Sequence, residues 1–337
     1  MRILVWGAGA IGGTIGAHLA RAGHDITFVD QAADHIAAIR SNGVSITGPL
    51  ADFNVRVPAV TPDVLAGEFE HIVLAVKAQD TDAATRALGP HLSADGYVVS
   101  AQNGLNELVI KAIVGDRRTM GCFVNFGADY IEPGVIQYAG RGAVVVGEID
   151  GRVTPRVEEL HRALVAFEER AIITRNIWGY LWGKLAYGAQ LFATALTNDS
   201  IADALAAPAY RSVYIELARE VMRVADARGI SPEGFDGFDP HAFTPDADRA
   251  RSERSLDDMV AHNRRSLKTH SGIWRDIAVR KRRTESDAQL GPIVTLGAEA
   301  RVATPAVARL IELVHDVEEG RRTQSHETLD LLKATVV

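Results

Sequence analysis

The chain has 337 residues, 47% of them hydrophobic and 23% charged, with 36 basic against 43 acidic side chains and a net charge of −7 at pH 7. That length suggests two domains with a sizeable core, and the composition excludes disordered, collagen-like and coiled-coil classes. The acidic balance argues against a nucleic-acid partner, which needs a basic surface to release counterions, and the lone Cys122 rules out an internal disulfide or a CxxC metal or redox site and fits a reducing cytoplasm.

Residues 3–6 form an apolar run that glycines interrupt at once, which predicts a strand rather than a secretion signal. Residues 11–22 predict a helix stopped by Gly23, residues 25–29 a strand, and residues 32–41 a helix ending near Gly43. Residues 71–76 (HIVLAV) are almost continuously apolar, the mark of a strand covered on both faces. A helix at 80–88, a strand at 97–100 and a helix at 107–114 follow. This alternation predicts an α/β fold with a doubly wound parallel sheet of Rossmann type. Residues 133–148 read as a β-hairpin and 172–174 as a last strand. Beyond Thr154 the pattern is helical, with helices predicted at 155–169, 177–196, 208–228 and 305–320, and a Pro-, Gly- and Asp-rich loop at 231–247. The expected division is a dinucleotide-binding domain at 1–174 and an all-α domain for substrate or dimerisation at 175–337. Its several apolar helix faces are compatible with a homodimer. Residues 177–196 reach membrane-spanning length, but no basic loop flanks them, and they read as a helix buried in a soluble core.

Gly7-Ala8-Gly9-Ala10-Ile11-Gly12 is a GxGxxG placed between a strand and a helix, with Asp30 ending the second strand 18 residues after Gly12. This is the context that a dinucleotide fingerprint requires. Gly7 permits the tight turn, Gly9 lets backbone approach a pyrophosphate, and Gly12 lets helix and strand pack closely, while the amides at Ala10 and Ile11 open the helix whose dipole attracts the phosphates. Asp30 accepts hydrogen bonds from a ribose 2′-hydroxyl and repels a 2′-phosphate. Gln31 rather than arginine follows, and Arg40 reads as a solvated helix residue. The reading is NAD, with NADP as the alternative. FAD also fits the fingerprint, but the second half carries no further flavin features.

Lys184 sits among Trp178, Tyr180, Leu181, Trp182, Leu185, Tyr187 and Leu191. Burying an ammonium costs several kcal/mol unless it is paired or its pKa falls. Snorkelling to water is one solution. The other is function: hydride transfer to a carbonyl leaves an alkoxide that needs a proton, which a lysine can donate.

The chain resembles the ketopantoate reductases through GAGAIG at 7–12, LAVKAQDT at 74–81, QNG at 102–104, PGVIQYAGRGAVVVGE at 133–148, WGKLAYGA at 182–189 and SGIWRDIAVRKRRTESD at 271–287. The resemblance implies a Rossmann domain joined to a helical substrate domain, with NADPH-dependent reduction of a 2-keto acid to a 2-hydroxy acid in the cleft. It implies that Lys184 is the general acid. Asn103 would lie near the nicotinamide, Glu285 would bind the substrate hydroxyl and cofactor region, Lys77 would lie near the adenosine end, and Ser271 would lie close to the serine that binds the substrate carboxylate. Read locally, Asn103-Gly104 is also a turn dipeptide, Ser271 a helix N-cap, Glu285 a cap or a partner of the basic run, and Arg280–Arg283 a solvated face.

Two departures bear on substrate. Family members that reduce ketopantoate carry asparagines four and eight residues after the lysine, where this chain has Gly188 and Phe192. The stretch from Asp276 to Glu285 is also one residue longer than the family spacing. The expectation is therefore an NAD(P)-dependent oxidoreductase acting on a small-molecule 2-keto or 2-hydroxy acid more apolar or aromatic than ketopantoate, with no metal, membrane or nucleic acid. The alternatives are a 3-hydroxyacid dehydrogenase of 6-phosphogluconate type and a non-catalytic dinucleotide sensor.

Overall fold

The computed structural model describes residues 1–265 and 269–336 and divides the chain into two compact units, Met1–Ile177 and Trp178–Val337. In the first, β1 (Arg2–Trp6), α1 (Ala10–Arg21), β2 (Asp25–Val29) and α2 (Ala33–Asn42) are followed by the short strands β3 (Val44–Thr47), β4 (Phe53–Val55) and β5 (Ala59–Val60). Then come β6 (Phe69–Leu74), α3 (Thr81–Leu88), β7 (Leu92–Ser100), α4 (Asn106–Val114), β8 (Thr119–Val124), β9 (Gly127–Glu132), β10 (Val135–Gly140), β11 (Val144–Glu148), α5 (Pro155–Val165) and β12 (Ile172–Ile173). The main sheet has the order β12-β11-β8-β7-β6-β1-β2-β5 and is parallel from β5 to β8, with β11 antiparallel to β8. Alternate β1 residues pack on opposite faces: Ile3 and Val5 join one core cluster, Leu4 and Trp6 the other. This burial on both faces is what the unbroken apolar runs encode.

The expected hairpin over 133–148 does not form. Both of its strands exist, but β10 pairs with β9 and β3 in a separate four-stranded sheet of order β4-β3-β10-β9, whereas β11 crosses to β8 in the main sheet. The chain changes sheets at Gly142, where a Cβ would lie 2.3 Å from the Asn125 carbonyl oxygen, so only glycine fits the crossing. The small sheet packs directly on α1: a Cβ on Gly13 would fall 2.1 Å from Ile136 Cδ1.

Among the described residues the second unit is built from helices: α6 (Ile177–Thr194), α7 (Ile201–Ala206), α8 (Arg211–Ala227), α9 (Arg249–Arg264), α10 (Gly272–Ala278), α11 (Ser286–Ala300), α12 (Pro305–Glu318) and α13 (His326–Val336). Its core is filled by side chains such as Trp182, Phe192, Tyr214, Leu217 and Leu310. Glu220 on α8 accepts the backbone N–H groups of Ala306 and Val307 at 2.9 and 2.8 Å, supplying the cap that the start of α12 lacks. Among the described residues no helix is long and apolar enough to cross a membrane.

Candidate functional site

The order of the main sheet reverses direction at β1, which has β2 on one side and β6 on the other. Ligands of open α/β sheets bind beyond the strand C-termini at such a switch point. The loop Gly7–Gly12 lies there. Gly7 has φ +101°, and a Cβ on it would lie 2.7 Å from the Ala75 carbonyl carbon, in the loop after β6. At Gly12 a Cβ would fall 2.0 Å from the Gly7 oxygen, so helix and turn touch only because it is glycine. At Gly9, by contrast, a Cβ would meet nothing within 4 Å, so open space faces this backbone. Gly9 is the N-cap of α1 and brings no side chain to its first-turn amides, which include those of Ala10 and Ile11. An open, glycine-walled helix start with orphan N–H groups fits a pyrophosphate.

Asp30 does more than the fingerprint assigns it. Its two carboxylate oxygens accept N–H bonds from Ala8 at 2.8 Å and from Ala32 at 3.0 Å, so it holds the glycine loop from below. Each oxygen keeps lone-pair capacity for a ribose hydroxyl.

Lys77 and Asn103 are exposed on the loops after the adjacent strands β6 and β7. A buried polar network ties these loops together. The Gln102 amide donates to the Val76 carbonyl and to Thr81 Oγ1, both at 2.9 Å, Thr81 donates to Asn106 Oδ1 at 2.8 Å, and Asn106 donates to the Asn103 carbonyl at 2.8 Å. Gly104 takes φ +107°, which makes the turn character of Asn103-Gly104 compatible with a side chain held outward. Sequence reasoning missed Thr81, Gln102 and Asn106 as supports, because single polar residues at strand and helix ends resemble ordinary caps.

Behind this network Glu107 is 1% exposed, its carboxyl beside Ser100 and close to Gly121. Burial pushes it from its ordinary 4.5 up to about 8, against the opposing pull of its own backbone N–H and Ser100. The unfolded chain therefore sheds this proton above about pH 4.5 while the folded chain keeps it to about pH 8, so stability falls as pH rises between those values. Glu107→Gln removes this dependence. We expect the variant to gain on the wild type by up to about 3 kcal/mol between pH 5 and pH 7, read by urea unfolding at each pH. Parallel stability curves would contradict a neutral buried carboxyl.

Lys184 is half-buried on α6, and the partly exposed positions Tyr180, Lys184, Tyr187, Gly188 and Leu191 form one stripe along that helix. The period follows from 3.6 residues per turn. A Cβ on Gly188 would meet nothing within 4 Å, so open space lies one turn beyond the lysine. Phe192 lies behind the stripe at 0% exposure; its ring packs the core and is not placed to line that space. The backbone of the 231–247 loop crosses α6 beside the lysine. Glu233 N–H donates to the Gly179 carbonyl, and a Cβ on Gly183 would lie 2.5 Å from the Glu233 oxygen. Gly183 is thus required next to Lys184, a role that no local pattern in the sequence announces. From the same loop Phe235 and Phe238 pack their rings on Tyr187 at 6.1 and 5.5 Å. Burial raises the pKa of the Tyr187 hydroxyl, against the pull of a hydrogen bond with Asn263.

Ser271 is the N-cap of α10, its Oγ accepting the Trp274 N–H at 3.1 Å, and it is buried. Glu285 stands at the N-cap position of α11 and is almost buried. The basic run before it is not a simple solvated face. Arg280 and Arg282 both close on the buried Asp276 at 3.0 Å, while Arg283 reaches Glu319. Within this stretch Lys281 takes the left-handed conformation with φ +51°. Among the described residues no cluster of His, Cys, Asp or Glu is placed to hold a metal ion.

Comparison with known proteins bears on the same segments. Residues 3–151 match the family model for ketopantoate reductase PanE/ApbA, and residues 176–318 match the model of its C-terminal domain. A 2-dehydropantoate 2-reductase of Halobacterium salinarum is 27% identical over 93% of this chain and 98% of its own length. One of Pyrococcus horikoshii is 30% identical over 68% of this chain and 75% of its own. Among solved structures, a ketopantoate reductase from Ralstonia eutropha has a TM-score of 0.80 at 23% identity, covering 96% of this chain and all of its own. A D-mandelate dehydrogenase in ternary complex with NADH and anilino(oxo)acetate has a TM-score of 0.81 at 21% identity, covering 95% and 99%. These two likenesses establish the shared α/β fold. With both domain models matched and a relative of 30% identity covered over three quarters of its length, the chain belongs to the ketopantoate reductase family and is an oxidoreductase that uses a nicotinamide dinucleotide.

Proposed function

We propose that this protein is an NAD-dependent oxidoreductase that interconverts a 2-keto acid and its 2-hydroxy acid, with a substrate whose substituent is more apolar than that of ketopantoate. The observation that carries this reading is the stripe on α6, where Lys184 stands one helical turn from the open space at Gly188. When bound, the nicotinamide supplies or accepts the hydride. Lys184 donates a proton to the carbonyl oxygen in reduction and takes the hydroxyl proton in oxidation, with its ammonium stabilising negative charge that develops on that oxygen. Asn103 and Glu285 orient the reacting groups. Gly7–Gly12 receives the pyrophosphate, Asp30 the adenosine ribose, and Lys77 lies toward the adenosine end. Ser271 supports the substrate carboxylate.

Where the family's ketopantoate-reducing members have an amide four residues after the lysine, Gly188 leaves no hydrogen-bonding group. A site without those polar groups loses affinity for the hydroxyl they would bind and admits an apolar group instead. Packing of Phe235 and Phe238, from the 231–247 loop, on Tyr187 of the same helix supports this preference.

The test is steady-state turnover with NADH and a panel of 2-keto acids bearing hydroxyalkyl, branched aliphatic and aromatic substituents. We expect the apolar members to exceed ketopantoate in kcat/KM by about tenfold or more, the scale of discrimination set by one or two pocket contacts. A preference for ketopantoate would overturn the substrate assignment. Binding of NADH without turnover of any acid, in either direction, would leave a dinucleotide sensor.

A further inference from the structure

His35 is 1% exposed on α2, and neither of its ring nitrogens serves its own helix. Nε2 lies 2.9 Å from the Ala8 carbonyl oxygen in the glycine loop, and Nδ1 accepts the Gly134 N–H at 3.0 Å. A carbonyl only accepts and a backbone N–H only donates, so these partners select the Nε2–H tautomer. Ala8 is therefore gripped twice, through its N–H by Asp30 and through its C=O by His35. Gly134 is gripped twice as well: its carbonyl accepts the Ser45 N–H at 2.8 Å, and Ser45 belongs to β3. Tyr130 of β9 packs its ring edge against His35 at 5.0 Å.

We propose that His35 is a positioning residue for the dinucleotide loop, connecting the Gly7–Gly12 backbone to the turn between β9 and β10 so that the small four-stranded sheet becomes part of the cofactor-binding apparatus. The proposal rests on the reading of that loop as the dinucleotide site. The Ala8 carbonyl belongs to the peptide whose N–H is that of Gly9, so a bond to this carbonyl holds the peptide by one edge and leaves its N–H edge to a pyrophosphate. His35 makes that bond. Its other nitrogen is fixed by a turn outside the main sheet, which makes the ring a rigid strut rather than a rotamer-rich tether. Gly134 suits the turn, because φ is +80° there and a Cβ would lie 3.2 Å from Ala38 Cβ.

The test compares wild type, His35→Phe, His35→Gln and Gly134→Ala. Titration with NADH and with ADP-ribose gives Kd, steady-state kinetics separate the cofactor KM from kcat, and thermal unfolding reports folding. We expect His35→Phe, which keeps the ring volume but leaves the Ala8 carbonyl unpaired, to weaken both ligands about tenfold, with kcat at saturating NADH within about twofold of wild type. His35→Gln can donate to the same carbonyl and should recover part of the loss. Gly134→Ala, remote from the ligand, should weaken NADH in the same direction by straining the strut at its far end.

The proposal is overturned if folded His35→Phe and Gly134→Ala both retain wild-type Kd, or if the variants lose kcat and thermal stability while the cofactor KM stays put. The latter is the signature of a packing role alone. A wild-type chain that binds neither NADH nor NADPH would overturn the dinucleotide reading itself and this inference with it.

Discussion

Replacing Lys184 by alanine should leave NADH binding within about twofold of wild type and reduce kcat by about a thousandfold. A positioned general acid or base contributes about 10²- to 10⁴-fold, and the same ammonium also stabilises charge developing on the substrate oxygen. Cofactor binding survives because the groups proposed to hold it, Gly7–Gly12 and Asp30, belong to the other compact unit of the chain. Lys184→Arg is the informative partner. It keeps the positive charge but does not surrender a proton in the working pH range. We therefore expect the oxidation of a hydroxy acid, which needs an unprotonated base, to suffer more in the arginine variant than binding of the keto acid. Rapid mixing with NADH and keto acid separates binding from the chemical step. Near-normal turnover in Lys184→Ala would remove the acid–base role and leave Lys184 as a solvated helix residue.

The wild-type protein should bind NADH about a hundredfold more tightly than NADPH. That ratio corresponds to about 2.7 kcal/mol, modest beside the several kcal/mol that like charges cost when placed together without screening. The carboxylate of Asp30 cannot swing away from a 2′-phosphate without releasing the Ala8 and Ala32 amides that it holds. Asp30→Asn tests both duties. It removes the negative charge and keeps one acceptor oxygen, so discrimination against NADPH should fall to a few-fold. NADH affinity should fall as well, because the glycine loop loses a charge-assisted hydrogen bond. Fluorescence titration with the two reduced cofactors measures both effects. Equal wild-type affinities for NADH and NADPH would contradict the role assigned to Asp30.

The parts of the candidate site that are local along the chain are legible in the amino-acid sequence. Gly7, Gly9 and Gly12 announce themselves by spacing, and Asp30 by its place at the end of a strand. Lys184 stands out because a cation in an apolar helix demands an explanation. Their supports are not legible. The partners of His35 are 27 residues earlier and 99 residues later, and nothing in Ala33–Asn42 distinguishes it from an ordinary polar residue on a short helix. The Thr81–Gln102–Asn106 network likewise joins residues up to 25 positions apart. Phe192 shows the opposite failing: its spacing from Lys184 points to a pocket, yet burial on α6 turns its ring into the core.

The same division runs through the fold. Alternating strand and helix periodicity by itself determined a Rossmann-type sheet followed by helices, because hydrophobic period is a property of each segment alone. Strand partners were decided only in three dimensions. β10 and β11 are neighbours in sequence and invite a hairpin, but each finds a better partner elsewhere, β10 in β9 and β3, β11 in β8. The short strands β3, β4 and β5 and the apolar β8 carry too little pattern to stand out. A segment's periodicity states which face must leave water; which other segment covers that face depends on chain crossings such as Gly142, where the fit of one missing Cβ settles the path.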